Sequence, residues 1–548
     1  TDGAFIIAII NVLVNELGVY DAEFLEERTN AAYLVRPDGH YVKQGSKPLV
    51  WDAVEDVVKP FDAEVKDYAL DGSYKVDGVE CRPAFHYVKE AVREYSPEKV
   101  AEITTIPAET IRRIAREFGE AACIGSTINI DGQELRYRPV AVNIYRGAGA
   151  HNHGVVNALA VQTLNMIVGA FYSVGGHRGT NLLGPGNSWA PLTSDEGLIK
   201  PHSSQGEGAE YYDFDVRPPQ TLWLGELMPI STNRSTFNEL GIRDPERFKL
   251  PYTAEMLIVC RRNLIMSSAS SEHAAEMLKK IPFVVYFSLH QDELSDFADI
   301  LLPEQHGLEK LILYCDIGGM AISALTGYWY WSLKQPVVKP PGEARHWIEV
   351  LLELAYRTGF LDEVNPLINV EFQLKDPYKL DPKKKYSLAE IFDRQAKSLF
   401  GPEFGLDWFK EHGSYKAKRS VAGRYPGQFI APRFPIYFEN MLRARDDVKG
   451  VTDELGLEWD TSDYSPTLYW KPCEAFSKDV QDEFYAVNFK IPLHTFTHTI
   501  ENPWLNELGG IHPYAYKILM SSEPAQKRGI RDGDTIRLES EAGSVTGT

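Results

Sequence analysis

VAVNIYRGAGAHNHGVVNALAVQTLNMIVGAFYSVGGHRGTNLLGPGNSW, from Val140 to Trp189, is the stretch whose reading decides the fold. An apolar, strand-like run (Val140–Tyr145) empties into a glycine-rich turn holding Gly147, Gly149 and Gly154. A helix over Val155–Val168 follows, with Leu159, Leu164 and Ile167 on one side, and ends at Gly169. A second glycine-rich loop, Gly175 to Gly186, closes the unit. Strand, glycine turn and helix in succession are the ingredients of a phosphate cradle, because the N–H groups at a helix N-terminus point at an anion and the dipole favours it. The spacing is G-x-G-x-x-x-x-G, with Asn152 where the third glycine of the nicotinamide fingerprint belongs. No acidic residue follows at the ribose distance of about 20 residues, which argues against an ordinary NAD site. Without G-K-[ST] a P-loop is excluded.

Around this unit the chain reads as several domains, since 548 residues exceed the roughly 100–200 of a single one. An apolar fraction of 44% with 24% charged residues belongs to an ordinary globular protein. The net charge of −20 argues against a nucleic-acid binder, which needs clustered Lys and Arg to neutralise phosphates. The five cysteines stand far apart with no C-x-x-C pair, so no zinc-finger or iron–sulfur spacing occurs, and they read as buried small apolar residues. No stretch approaches the ~20 apolar residues that span a bilayer. The chain opens at Thr1 inside a helix start and stops at Thr548 just after a strand-turn-strand pattern, so it reads as a piece of a longer protein.

Thr1-Asp2 caps an expected helix over Gly3–Leu17, and Asp21 starts a short second one. Asp38-Gly39, Asp71-Gly72 and Asp77-Gly78 are hairpin signals in a peripheral β region. Pro107-Ala-Glu109 opens an amphipathic helix that ends at Gly119. From Tyr252 strands and helices alternate: Met256–Cys260, helix Ser271–Lys280, Phe283–Leu289, a helical turn Asp292–Phe297, then Asp299–Leu302. This predicts a parallel sheet whose ligands sit beyond the strand ends, where Arg262-Asn263 and Ser288-Leu-His290-Gln291 lie. The carboxylates Asp292, Glu293, Asp296 and Asp299 read as helix-start surface groups rather than a metal cluster. His151 and His153, lacking a third ligand at useful spacing, read as a hydrogen-bonded feature, and Gln162 and Asn165 as helix-surface amides. Helices are expected over Glu343–Gly359 and Leu388–Leu399, and β structure from Ala486, including Ile518–Ser521 and Thr535–Glu539, as the start of a small barrel.

Five signatures then line up in order. They are Thr1-Asp2-Gly-Ala; Arg146-Gly through His151, Gly154, Leu164-Asn165, Gly169 and Gly175-Gly176; Pro282-Phe-Val-Val with Ala298-Asp299-Ile-Leu-Leu-Pro303 and Glu309; Lys339-Pro with Glu343-Ala-Arg345; and His494, His498-Thr, Asn502-Pro-Trp-Leu505 with Gly529-Ile and Gly533-Asp534. Together they make the chain resemble the large catalytic subunit of the dimethyl sulfoxide reductase family of molybdopterin oxidoreductases, over almost its whole length. The resemblance implies an α/β fold with two Rossmann-like domains with parallel sheets, 1–185 and 186–480, and the start of a C-terminal double-psi β-barrel, 481–548. It implies bis-molybdopterin guanine dinucleotide with Mo or W, contacted by Arg146, Gly147, His151, Gly154, Gly184, Asn187, Asn263, Ser288, His494, His498 and Asn502. Departures are Leu264 where the family often has Pro, Ser288 where an Asp often meets guanine, and Glu293-Leu-Ser in place of E-T-A.

By the same resemblance, a 4Fe–4S domain and the metal-ligating residue precede the Thr1-Asp2-Gly-Ala element, so no catalytic residue and no protein metal ligand is named within this sequence. The implied activity is two-electron oxo transfer or hydroxylation on a small molecule. An iron–sulfur electron-transfer subunit exchanges the electrons, and a membrane-anchor subunit is a further partner. The alternatives are a non-redox hydratase of the same family and a cofactor-free scaffold in an electron-transfer complex; periplasmic and cytoplasmic placement both stay open. The stretch Ile128–Val140 and the helix Leu388–Phe400 look closer to thiosulfate-reductase-like and phenylacetyl-CoA-oxidising branches than to formate dehydrogenase.

Overall fold

The computed structural model describes residues 1–150, 152–177, 193–199, 216–229, 238–268, 270–315, 327–474, 484–489, 491–495, 499–540 and 543–548. Its first core forms around α1 (Asp2–Asn11), whose sequence is apolar on nearly every face and which is accordingly buried on nearly every face. The expected single helix to Leu17 changes to π geometry over Val12–Leu17 and ends at Gly18. Asn11 and Asn15 bind the backbone carbonyls of Tyr95 and Lys89 there, at 3.2 and 3.0 Å. Helices α2 (Ala22–Arg28), α3 (Ala84–Arg93), α4 (Pro97–Thr104), α5 (Ala108–Ala121), α6 (Arg146–Gly149) and α7 (Gly154–Ile167) follow. Of these α3, α4, α5 and α7 pack on α1. Ile7, Ile10 and Leu13 share one cluster with Leu164 and Ile167 of α7. Phe434, Ile436, Met441 and Val448, from the stretch expected in the second domain, join the same cluster.

Six short strands lie beside this core: β1 (Leu34–Val35), β2 (Lys43–Gln44), β3 (Lys47–Asp52), β4 (Val57–Pro60), β5 (Tyr74–Val76) and β6 (Val79–Pro83). They form two antiparallel sheets, ordered β1-β6-β5 and β2-β3-β4. The Asp77-Gly78 turn joins β5 to β6 with φ of +50° and +84°, as a two-residue hairpin requires. Asp71-Gly72 is no hairpin: the Asp71 carboxylate instead binds His86 and Lys89 of α3, at 2.7 and 2.8 Å.

A second hairpin, β7 (Thr127–Ile130) and β8 (Gln133–Arg136), leads into the central stretch. Among the described residues, the strand expected over Val140–Tyr145 has no sheet partner. One side chain replaces the neighbouring strand: Asn165 of α7 accepts from Val142 N–H at 3.0 Å and donates to the Val142 carbonyl at 2.8 Å. The alternation is still real, because Val140, Val142 and Ile144 pack on the core.

The parallel sheet is found in the second unit, as expected from the alternating pattern; the first unit is, among the described residues, a helical core with antiparallel strands. α8 (Asn238–Arg243) precedes β9 (Met256–Cys260), which is followed by α9 (Leu264–Ser267), α10 (Ser271–Lys280), β10 (Phe283–Ser288) and β11 (Ile300–Pro303). The order is β11-β10-β9, all parallel, with Val285 level with Ile258 and Ile300. Ala274, Met277 and Leu278 of α10 cover Val259 and Tyr286. An antiparallel sheet of β12 (Ile312–Cys315), β13 (Tyr328–Lys334) and β14 (Ser414–Lys418) packs Leu313, Trp331 and Leu333 against the helices Leu388–Phe400 and Leu406–His412. The C-terminal part carries the helix Pro503–Ile511 and the hairpin β15 (Ile536–Ser540) and β16 (Gly543–Gly547). Ile518–Ser521, expected as a strand, is irregular: Ile518 N–H bonds to Thr548 O at 2.8 Å, and Ser521 O instead accepts from Ala525 N–H of the following helical turn at 3.2 Å. No single helix among the described residues is long and apolar enough to cross a membrane.

One buried knot ties the first unit together. Asp21 caps α2 by accepting from Phe24 N–H at 3.1 Å, and its other oxygen takes both Nε and Nη2 of Arg138, at 2.9 and 2.6 Å. Arg138 Nη1 donates to the carbonyls of Ser126 and Tyr137, at 2.8 and 2.7 Å. Asp21 N–H binds the last carbonyl of α7, Ile167 O, at 2.8 Å. Gly169 meets the same carboxylate so closely that any side chain there would strike it, and its φ is +68°. Both charged side chains are at most 3% exposed. We predict that Asp21→Ala, which strands a buried guanidinium, lowers the unfolding free energy by about 3–5 kcal/mol in denaturant titration; a loss below about 1 kcal/mol would contradict this role.

Candidate cofactor site

The stretch from α6 into the start of α7, the α6–α7 turn, presents two open glycines of α6 on a braced backbone. Gly147 and Gly149 are exposed, and a methyl group at either would meet, among the described residues, no atom of a non-neighbouring residue within 4 Å. The backbone beneath them is held from α7: Asn157 Nδ2 donates to Ala148 O at 2.9 Å. Gly154, buried at the first position of α7, packs against the Gly149 carbonyl so closely that any side chain would displace it. α7 has no acidic residue in its first turn, and the first N–H groups of a helix lack partners within it. An open glycine face beside a helix N-terminus without an acidic first turn suits an anionic ligand that needs close backbone approach.

Other glycines of the same motif serve the protein's own packing. Gly169 accommodates the Asp21 carboxylate, Gly175 lies against Pro139 Cα, and Gly176 against the Ala170 carbonyl. The amide of Asn165 serves Val142, as described, so it is a structural group. His153, before α7, hydrogen-bonds through Nδ1 to Asp463 Oδ2 at 2.8 Å, so one of the two histidines is indeed a hydrogen-bonded feature. His151 lies outside the described residues.

The second locus is the carboxyl end of the parallel sheet. Asn263, buried just past β9, caps α9 by accepting from Met266 N–H at 3.1 Å and donates to Glu293 at 2.8 Å. This leaves one amide hydrogen for any ligand. Arg261 beside it adopts a φ of +58°, a strained conformation of the kind found where a strand end presents a side chain. Ser288, the last residue of β10, turns its hydroxyl onto its own loop, donating to His290 O at 2.5 Å. Three of the four nearby carboxylates are engaged: Asp292 with Tyr286 OH at 2.8 Å, Asp299 with Val284 N–H at 2.7 Å, Glu293 with Asn263.

Behind the third strand end, Glu304 and Lys310 form a buried ion pair, and Glu304 also accepts from Trp347 N–H at 3.2 Å. Next to them His346 caps the helix Trp347–Thr358 by accepting from Ile348 N–H at 3.2 Å, which needs a neutral ring nitrogen. Burial, with the charges of Lys310 and Arg261, pushes the imidazole down to about 4. Burial and the Glu304 charge push the Cys260 thiol up to about 11.

The third locus is C-terminal. His494 binds Thr499 O through Nδ1 at 3.1 Å and the Tyr516 hydroxyl through Nε2. Asn502 caps the helix Pro503–Ile511, accepting from Trp504 and Leu505 N–H at 3.1 and 3.2 Å. The chain thus brings Arg146, Gly147 and Gly154 together at one place, Asn263 and Ser288 at another, His494 and Asn502 at a third. Gly184, Asn187 and His498 lie outside the described residues. Sequence reasoning missed Asp463 and Asn157, whose partners are set by the fold; Asp463 sits 310 positions from the histidine it holds.

The family model described as molybdopterin oxidoreductase matches residues 98–357, from α4 through the α6–α7 turn and the parallel sheet to the helix Trp347–Thr358. A sulfite dehydrogenase subunit from Allochromatium vinosum is 28% identical over 65% of this chain and 41% of its own length. The molybdopterin-containing subunit PhsA of thiosulfate reductase from Salmonella typhimurium is 24% identical over 84% of this chain and 55% of its own length. Each is named as one subunit of its enzyme, and the chain spans about half the length of these curated relatives. Among solved structures, acetylene hydratase from Pelobacter acetylenicus aligns with the whole chain and 60% of its own, at 18% identity and a TM-score of 0.49.

The neutral His346 carries a pH dependence. The unfolded chain takes up its proton near pH 6.5 and the folded protein only near 4, so this contribution to stability is complete above 6.5 and is lost as pH falls toward 4. Denaturation midpoints of His346→Gln should fall less steeply than those of the wild type between these pH values; parallel profiles would contradict a buried neutral imidazole.

Proposed function

We propose that the chain, whose residues 98–357 match the molybdopterin oxidoreductase model, belongs to that family and is a large part of a catalytic subunit that holds bis-molybdopterin guanine dinucleotide and catalyses two-electron oxo transfer or hydroxylation on a small molecule. Family membership implies a molybdopterin carrying Mo or W; the dinucleotide form and the use of two pterins belong to the proposal. The observation that carries it is the α6–α7 turn, where Gly147 and Gly149 leave room on a braced backbone within the matched region. When bound, the group supplies the redox chemistry at its metal.

The chain's part is position. Backbone groups at Gly147 and Gly149 approach one dinucleotide, Gly154 lets α7 come close enough to support them, and Asn157 fixes the carbonyl between. Asn263 and Ser288 are proposed at the other dinucleotide, Asn263 as the brace of the α9 turn more than as a free donor. His494 and Asn502 shape the C-terminal cover, and Arg146, His151, Gly184, Asn187 and His498 are proposed as further contacts. The domains 1–185, 186–480 and 481–548 would supply the two halves and the cover, although residues 434–468 pack with the first core. Electrons are proposed to pass, in either direction, through a 4Fe–4S cluster held outside this sequence between the site and an iron–sulfur subunit, with a membrane anchor in the assembly. The hairpin β7–β8 lies in the stretch that favours a thiosulfate-reductase-like or phenylacetyl-CoA-oxidising branch.

The test is metal and pterin content of the full-length protein from a host that makes the cofactor, with electron exchange with a viologen dye. Wild type should hold both. Gly147→Val should lose pterin with an unchanged thermal midpoint, because its side chain enters open space, whereas Gly154→Val should lose both by displacing the Gly149 carbonyl. Wild-type protein without pterin, or Gly147→Val with full content, would overturn the placement.

A further inference from the structure

We propose that Asp463 is a positioning residue for the α6–α7 turn, acting through His153; this rests on the reading of that turn as part of the pterin-dinucleotide site. The Asp463 carboxylate only accepts, so His153 Nδ1 carries the proton of their 2.8 Å bond, which sets the ring's tautomer and orientation. Asp463 is itself held. Its other oxygen takes Lys471 Nζ at 2.9 Å, and the Tyr469 hydroxyl donates to its backbone carbonyl at 3.1 Å. Burial alone would raise its carboxyl; the bonds from Lys471 and His153 outweigh this and keep it below the usual range.

The segment that carries Asp463 is anchored on both sides. Tyr464 and Leu468 are buried in the first core, and Trp470 N–H donates to Tyr95 OH at 2.8 Å. A strap from far along the chain therefore fixes the rim of the turn at His153, while Asn157 fixes its middle at Ala148. The glycine face itself has no side chain to stiffen it. A cradle that is loose when empty has to be ordered by its ligand, and that ordering cost is subtracted from affinity. Asp463 thus contributes to cofactor retention without touching the cofactor.

Full-length Asp463→Ala, Asp463→Asn and Asp463→Glu, made in a host that supplies the cofactor, distinguish the possibilities. Two quantities are read: loss of pterin on dilution, as fluorescent oxidised pterin per chain, and the thermal midpoint of the cofactor-free form. Asp463→Ala should lose pterin about tenfold faster than wild type, the size expected for one hydrogen bond to a charged group, at an unchanged midpoint. Asp463→Glu should restore most of the retention. Wild-type retention in Asp463→Ala, or retention and midpoint falling together, overturns the proposal. If Asp463→Ala does not fold, Asp463→Asn, which keeps the shape and removes the charge, is held to the same criterion. Wild-type protein that holds no pterin defeats the reading of the site itself.

Discussion

The first unit depends on the Asp21–Arg138 pair. It joins four pieces of backbone that otherwise have few reasons to meet: the start of α2, the end of α7, the carbonyls that follow α5, and the run leading to α6. A buried ion pair is poor evidence of net stability, because desolvating both charges offsets much of their attraction. What it supplies is position. Arg138 spends its donors on fixed carbonyls, and Asp21 fits only where Gly169 has no side chain. With α7 fixed at its C-terminal end by this knot and at its N-terminal end by Asn157 and His153, the glycine turn before it stands on a rigid support.

Much of this was legible in the sequence, for identifiable reasons. Alternating apolar runs and capped helices between Met256 and Pro303 place the parallel sheet within a residue or two, because buried strands and amphipathic helices differ in period. Asp77-Gly78 announces its hairpin because few other residue pairs tolerate two positive φ values. The run Val140–Tyr145 has the period of a strand, yet its partner is one asparagine amide, which no periodicity reveals. β14 went unseen because its partner strand lies far back in the chain, Lys418 opposite Tyr328. The glycine block mixes two causes. Gly147 and Gly149 face open space, whereas Gly154, Gly169, Gly175 and Gly176 are small because the protein's own atoms crowd them. Asp463 was illegible for the plainest reason: nothing around it in sequence points to His153.

The same distinction sharpens what the site residues do. Asn263 and Asn502, named through the family resemblance, are both helix caps whose carboxamide oxygens are occupied by backbone N–H groups. Such residues aim a helix N-terminus, so an anionic ligand bound there would be met by backbone N–H groups more than by these side chains. A protein that delegates its chemistry to a cofactor needs accurate backbone placement above all, and these caps and the buried knot supply it here.

The central claim is that the backbone of the α6–α7 turn meets the pterin dinucleotide. Hydrogen–deuterium exchange of the full-length protein, cofactor-loaded against cofactor-free, reads that backbone directly. The account predicts slower amide exchange across Gly147–Gly154 in the loaded form. Unchanged exchange there, with protection appearing elsewhere in the chain, would contradict it.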